Sequence, residues 1–290
     1  MIRCAVGRQQ LLDDIEAEKP GWLKRARAAT AASAAAGQYV AGSDIWGEIK
    51  QVYIRLQHEK CVYCESKLQG SRFAAKVHEV EHFRPKSRLR AWPGSAKRLP
   101  PGYTAPCPTG PVSNVGYYLL AYHPFNYAIA CTRCNSTLKS DWFPVRGKRD
   151  VHLVDPSWGY AEDPLLIYPI SDLDDDPATL IGFDGVLPKP VTTELHKAQR
   201  AAVTITFFAL DAEDLTSRRA AILFPLWVAL RTQATSVDAQ LRMDAADAIN
   251  AICAATAEFS ACFSAFRALF AINPVRAAML ADAARPLVAR

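Results

Sequence analysis

Between residues 45 and 56 the apolar positions Ile45, Ile49, Tyr53 and Leu56 fall four, four and three apart, one stripe of an α-helix. The pattern predicts a helix over 45–58, with Ser43-Asp44 as its cap. Upstream, residues 9–36 mix charge with an Ala-rich run and predict helix as well. Over 77–83 the period drops to two: Val77, Glu79, Glu81 and Phe83 alternate with His78, Val80 and His82. Such alternation predicts a strand, stopped soon afterwards by Pro85, with Glu81 and His82 on opposite sides of its pleat. Residues 117–130 are aromatic and apolar, broken by His123-Pro124-Phe125-Asn126, and predict a strand, a turn and a second strand. A helix follows over 131–139. Beyond Glu194 the pattern is helical, with helices predicted over 212–232 (capped by Leu210-Asp211), 237–272 and 274–289.

Between these elements, 91–116 holds six prolines and four glycines and predicts a loop, a tolerated surface excursion or a substrate-contacting flap. Residues 155–185 hold eight acidic residues and no basic one, and Asp174-Asp175-Asp176 before Pro177 predicts a solvated turn. The expected architecture is α+β. A strand-bearing module over 61–150 is set between an N-terminal helical segment, 1–60, and a mainly helical C-terminal region, 151–290.

Charge changes the picture. The chain of 290 residues carries only +5, yet over 61–150 there are 14 lysines and arginines against five acids. A basic excess confined to one module favours a polyanionic partner, with nucleic acid the usual one. The start of the sequence lacks the apolar core of a signal peptide, and residues 251–272, the best membrane candidate, are interrupted by Glu258 and Arg267. Eight cysteines, four of them scattered, suit a reducing cytosol better than a disulfide framework. A cytoplasmic protein without a membrane partner is expected.

The other four cysteines carry chemistry. Cys61-Val-Tyr-Cys64 is answered by Cys131-Thr-Arg-Cys134, and two C-x-x-C knuckles offer the four thiolates of a structural zinc site. Such a site leaves the metal no open position, so reactivity must come from what it encloses. Enclosed are Glu81-His82, Asn126 and, directly after the last cysteine, Asn135.

In this order the motifs resemble the HNH, or ββα-metal, nuclease family, and within it the zinc-knuckle HNH proteins of retron and Septu-type phage-defence systems. The likeness rests on Cys61-x-x-Cys64-Glu65, Glu81-His82-Phe83-Arg84-Pro85-Lys86, Tyr118-Leu-Leu-Ala-Tyr122 with Asn126, Cys131-x-x-Cys134-Asn135 and Lys139-x-x-x-Phe143-Pro144. It covers 45–145 and continues more loosely to about residue 220. The resemblance implies a ββα module wrapped around one divalent ion. His82 would be the general base, with an ordinary imidazole pKa near ~6.5 suited to neutral pH. Glu81 would bind the catalytic cation, Asn126 would hold the histidine in place, and Asn135 would be a second metal ligand. Arg84, Lys86, Arg88, Arg133 and Lys139 would clamp phosphates. Asn135 stands where the family often has His, which favours Mg2+ or Mn2+ over softer ions. Glu79, on the same alternation parity as Glu81, is the substitute carboxylate, and His78 or His123 could replace a named ligand.

The function so implied is a metal-dependent endonuclease acting on nucleic acid, DNA in the first place, as an effector of antiviral defence. A catalytically silent zinc module that binds nucleic acid or a partner protein is the competing reading. An assembly subunit working through its helical tail is the third. Proteins of the resembled kind often work beside a regulatory ATPase, and this sequence has no Walker-type phosphate loop of its own.

Overall fold

The computed structural model describes residues 1–42, 44–68, 79–93 and 110–288. Val77 and His78, most of the Pro/Gly-rich 91–116 stretch and Ser43 lie outside the described residues. Among the described residues the architecture is mixed and mostly helical, with two two-stranded antiparallel sheets.

The predicted 9–36 helix is two, α1 (Arg8–Glu18) and α2 (Trp22–Ala36), because Pro20-Gly21 breaks it and Gly21 sits at φ 77°. Trp22 is fully buried, donates its indole N–H to Ile45 O (2.8 Å) and meets the Tyr127 ring edge-on. The predicted 45–58 helix is a 3₁₀ turn, Ile45–Ile49, running into α3 (Lys50–Leu56). Asp44 precedes it without a side-chain capping bond. Ile45, Ile49 and Tyr53 are buried as the stripe requires. Gln57 then ties the helix end to the site strand: its Nε2 donates to Ile129 O and its Oε1 accepts from Ile129 N.

Strand β1 (Glu79–His82) pairs antiparallel with β2 (Tyr127–Ala130), placing His82 opposite Tyr127 and Glu81 opposite Ala128. The first strand predicted within 117–130 is instead a pair of 3₁₀ turns, Tyr118–Leu120 and Pro124–Asn126. Pro124 opens the second with its fixed φ, and the His123 side chain caps it by accepting from Phe125 N. Just before the turns the chain crosses residues 85–87 so closely that a Cβ on Gly116 would lie 2.6 Å from Pro85 O. After β2, α4 (Arg133–Lys139) is a wide π-type turn rather than an α-helix.

In the C-terminal region a hairpin, β3 (Ile181–Asp184) and β4 (Leu187–Pro190), turns on Gly185 at φ 62°. Helices α5 (Pro177–Leu180), α6 (Leu195–Phe207), α7 (Glu213–Thr235), α8 (Ala239–Cys253), α9 (Ser260–Ile272) and α10 (Pro274–Val288) complete it. The helix predicted over 237–272 is therefore split, with Phe259 left-handed at the start of α9. Neither Asp211 nor any other side chain caps α7, whose N-cap is Ala212. No helix among the described residues is long and apolar enough to cross a membrane.

The Asp174–Asp176 run is not simply solvated. Arg200, 6% exposed, donates to Asp174 Oδ2 (2.6 Å) and Asp175 Oδ2 (3.1 Å), while Asp176 caps α5 through Ala178 N. A guanidinium taken out of water needs paired carboxylates, and these supply them. One hydrophobic cluster runs from α1 through the sheet to α10.

Candidate metal centre and the adjoining cavity

Cys61 and Cys64 sit in a tight turn just after α3, where Glu65 N donates to Cys61 O and Cys61 N to Ser66 O. Cys131 follows β2 directly and Cys134 lies in α4. Val62 N donates to Ile129 O, so the two knuckles are pinned together by the end of the sheet. All four sulfurs lie within 4.8 Å of one another, with Cys64 Sγ 3.8 Å from Cys131 Sγ. A tetrahedral ZnS4 centre with bonds of ~2.3 Å has sulfur–sulfur edges of about 3.8 Å, so the cluster has the dimensions of a zinc site rather than a disulfide. The four thiols interact strongly: their contacts draw the Cys131 thiol down, while burial pushes Cys61 up and its sulfur neighbours push Cys134 up. The four cysteines could hold a zinc ion.

Beside the cluster, β1 presents Glu79, Glu81 and His82 to a cavity of about 310 Å³, lined also by Lys86, Asn135, Ser136 and Asp141. His82 is 8% exposed, its ring edge-on to Trp46 (4.8 Å) and Tyr127 (5.1 Å). Its Nε2 lies 3.1 Å from Ala121 O. A carbonyl can only accept, so this contact assigns the proton to Nε2 and leaves the Nδ1 lone pair available. Burial, reinforced by the Lys86 ammonium, pushes the imidazole pKa well below the ordinary value that the sequence suggests.

Glu81 does not face open solvent. It is 3% exposed, and the Lys139 ammonium lies 2.7 Å from its Oε1. Among the described residues that oxygen has no geometrically aligned hydrogen bond, so the pair is held chiefly by charge. Burial raises the carboxyl pKa against the pull of Lys139. The exposed carboxylate of the pair is Glu79, whose Oε2 accepts from Asn135 Nδ2 (2.9 Å) and Ser136 Oγ (3.3 Å). The cavity thus joins Asn135 to Glu79 directly, and Glu81 and His82 line it too.

Asn126 is fully buried. Its Oδ1 accepts from Arg84 N (2.8 Å), and its Nδ2 donates to Arg84 O (3.0 Å) and Leu120 O (3.1 Å). These three bonds lock the backbone that leaves β1 immediately after His82. Asn126→Ala is expected to cost about 3 kcal/mol, at ~1 kcal/mol net per bond and more for stranded buried groups, read as a lower urea midpoint. An unchanged midpoint would show that the clamp is dispensable. His123 is elsewhere, lining a separate apolar groove near Leu12 and Leu23, with burial pushing its pKa down to about 4.

The five basic residues divide. Arg84 is 4% exposed and its Nε donates to Glu162 Oε2 (3.1 Å), in a buried network with Tyr117 and Arg149. Lys139 is fully buried between Glu81 and His82 O. Lys139 is thus closed off from a phosphate, and Arg84 lines a different cavity, with Asp163, His196 and Arg200. Arg133 donates to Ala209 O at the α6–α7 junction. Arg88 is exposed and paired with Asp141 (2.6 Å). Lys86 lines the cavity, its ammonium over the rings of Trp46 (4.7 Å) and Tyr39 (5.2 Å). Sequence reasoning did not find Trp46, whose contact with His82 spans two distant segments and leaves no local signal.

The fold and site define a mixed α/β protein, stapled by a zinc-competent cysteine cluster beside a histidine–carboxylate cavity. Over 174 residues the chain is 27% identical to a Septu protein PtuB from Bacillus mycoides (strain KBAB4). The match covers 60% of this chain and 50% of that protein, so the chain spans about half the length of the curated relative it matches. No protein-family model matches the chain, and no solved structure matches it.

Proposed function

We propose that the chain is a metal-dependent endonuclease of the HNH type, hydrolysing phosphodiester bonds of nucleic acid, DNA in the first place. The observation that carries this reading is the single cavity that gathers Glu79, Glu81, His82, Lys86 and Asn135 beside the four cysteines. The order strand, strand, helical turn around that cavity supports it. His82 Nδ1 takes the proton of the attacking water while Nε2 stays on Ala121 O. Lys86 meets the phosphate as a point charge. Lys139 keeps the Glu81 carboxylate from repelling it. Glu79 and Asn135, hard oxygen donors in contact, are the residues that would hold Mg2+ or Mn2+, with Glu81 behind them. A divalent cation there would polarise the scissile phosphate and stabilise the leaving 3′ oxygen.

The similarity to Septu protein PtuB supports a place in phage defence, with a regulatory ATPase as the proposed partner. The test is nicking of supercoiled plasmid with Mg2+ or Mn2+, by the chain alone and with that partner. Glu79→Gln is expected to raise the metal concentration for half-maximal cleavage about tenfold or more, because charge count tunes such sites. An unchanged metal requirement would return the ligand role to Glu81. One observation favours a catalytically silent zinc module instead: Glu81 already has a cation in Lys139. Absence of cleavage under every condition above would establish that second reading.

A further inference from the structure

His82 lines two cavities rather than one. Glu79, Val80, His82 and Lys86 line the cavity described above and also a second one of about 320 Å³. Its other walls come from the N-terminal segment: Asp44, Trp46, Gly47 and Lys50. A polymer cleaved at His82 must continue past the broken bond in both directions, and the second cavity is where it would go. The segment is rigidly held. Ile45 and Ile49 are buried, and Trp46 packs on Tyr122 (5.7 Å), Tyr39 (6.2 Å) and the His82 ring.

We propose that residues 44–50 form the second half of the nucleic-acid groove, with Lys50 binding the backbone phosphate next to the one cleaved at His82. The inference rests on the nuclease reading and deepens it, extending the site beyond the motif-bearing module. Lys50 and Lys86 are the two cations of the second cavity. Among the described residues Lys86 has no hydrogen-bond or ion-pair partner, only the faces of Trp46 and Tyr39. Burial pulls both ammonium groups below the ordinary lysine pKa, against the pull of Glu79 on Lys50 and of Asp44 and Glu81 on Lys86. Of the two acids in the same cavity, Glu79 belongs to the cation side through Asn135, and Asp44 stands exposed at the rim.

The experiment uses the full chain carrying His82→Ala, which binds without cutting, and short fluorescein-labelled DNA and RNA oligonucleotides, single-stranded and duplex. Affinity is followed by anisotropy over a range of salt. Adding Lys50→Gln is expected to weaken binding and to lower the slope of log K against log salt by about 0.7 for single strands or about 0.9 for duplex DNA, one phosphate contact. Lys50→Arg should restore the slope, and Lys24→Gln, on the exposed side of α2, should leave it unchanged. Circular dichroism checks that each variant is folded. An unaltered slope in folded Lys50→Gln overturns the inference while leaving the nuclease reading intact. If the His82→Ala chain binds none of the oligonucleotides, both fall. A slope lost in Lys50→Gln and not recovered in Lys50→Arg would mean that Lys50 shapes the segment rather than meeting a phosphate, and would also overturn it.

Discussion

Replacing His82 by alanine is expected to cut plasmid nicking by about 10²–10⁴-fold, the usual contribution of a positioned general base, while bound zinc and helical content stay as in wild type. Among the described residues His82 is the one histidine lining the cavity, beside the Glu79 carboxylate and the Asn135 amide. Its neighbours Trp46, Tyr127 and Ala121 O come from three different segments, so circular dichroism and a urea midpoint accompany the assay to separate lost chemistry from lost packing. The pH profile gives a second readout. Because burial holds the folded-state pKa below the ordinary value, the acid limb of kcat/KM should lie below pH ~6.5. The linkage has a definite sign: as pH falls through ~6.5 the unfolded chain takes up a proton that the folded chain refuses, so stability falls there. A His82→Ala protein that still nicks at the wild-type rate would remove the histidine from the mechanism.

Cys131→Ala or Cys134→Ala should have the largest effect on the fold. Apparent zinc binding of roughly 10–16 kcal/mol in structural sites is as large as the whole stability of a typical domain, roughly 5–15 kcal/mol. The cluster also fixes the end of β2, the start of α4 and, through Glu65, the C-terminal bundle. Glu65 Oε2 accepts from Ser260 Oγ (3.0 Å) and Ala261 N (3.1 Å), and Lys60 donates to Ala257 O (2.9 Å). Metal analysis should fall from about one zinc per chain to near none, with the thermal midpoint down by more than about 10 °C. Cys4→Ala is the control. Cys4 and Cys262 are buried thiols pushed up to about 12 by desolvation, and neither belongs to the four-sulfur cluster. Full zinc content in Cys131→Ala would show that the four sulfurs are only core packing.

The groups on which the site turns were unequally legible. The two C-x-x-C pairs could be read at once, because four thiols at those spacings have few other uses, and the structure brings them together. Glu81 and His82 could be read as neighbours on one strand. Alternation could not say that Lys139, 58 residues later, would reach Glu81, nor that Arg84 would turn inward to Glu162. The acidic triplet at 174–176 looked solvated because its partner, Arg200, lies in another element. The β3–β4 hairpin escaped notice although Asp184-Gly185 marks its turn.

Sequence by itself determined the helical stripe over 45–56, the strand carrying Glu81 and His82, the paired cysteines and the helical character of the C-terminal region. Each of these is set by a local period or a fixed spacing, which the chain carries wherever it folds. Tertiary structure alone decided which carboxylate lies open beside Asn135, which lysines face the cavity and which are consumed inside, and that Trp46 and Lys50 stand next to His82. Those outcomes depend on which apolar faces meet, and burial then settles the charge and partners of every polar group carried inward.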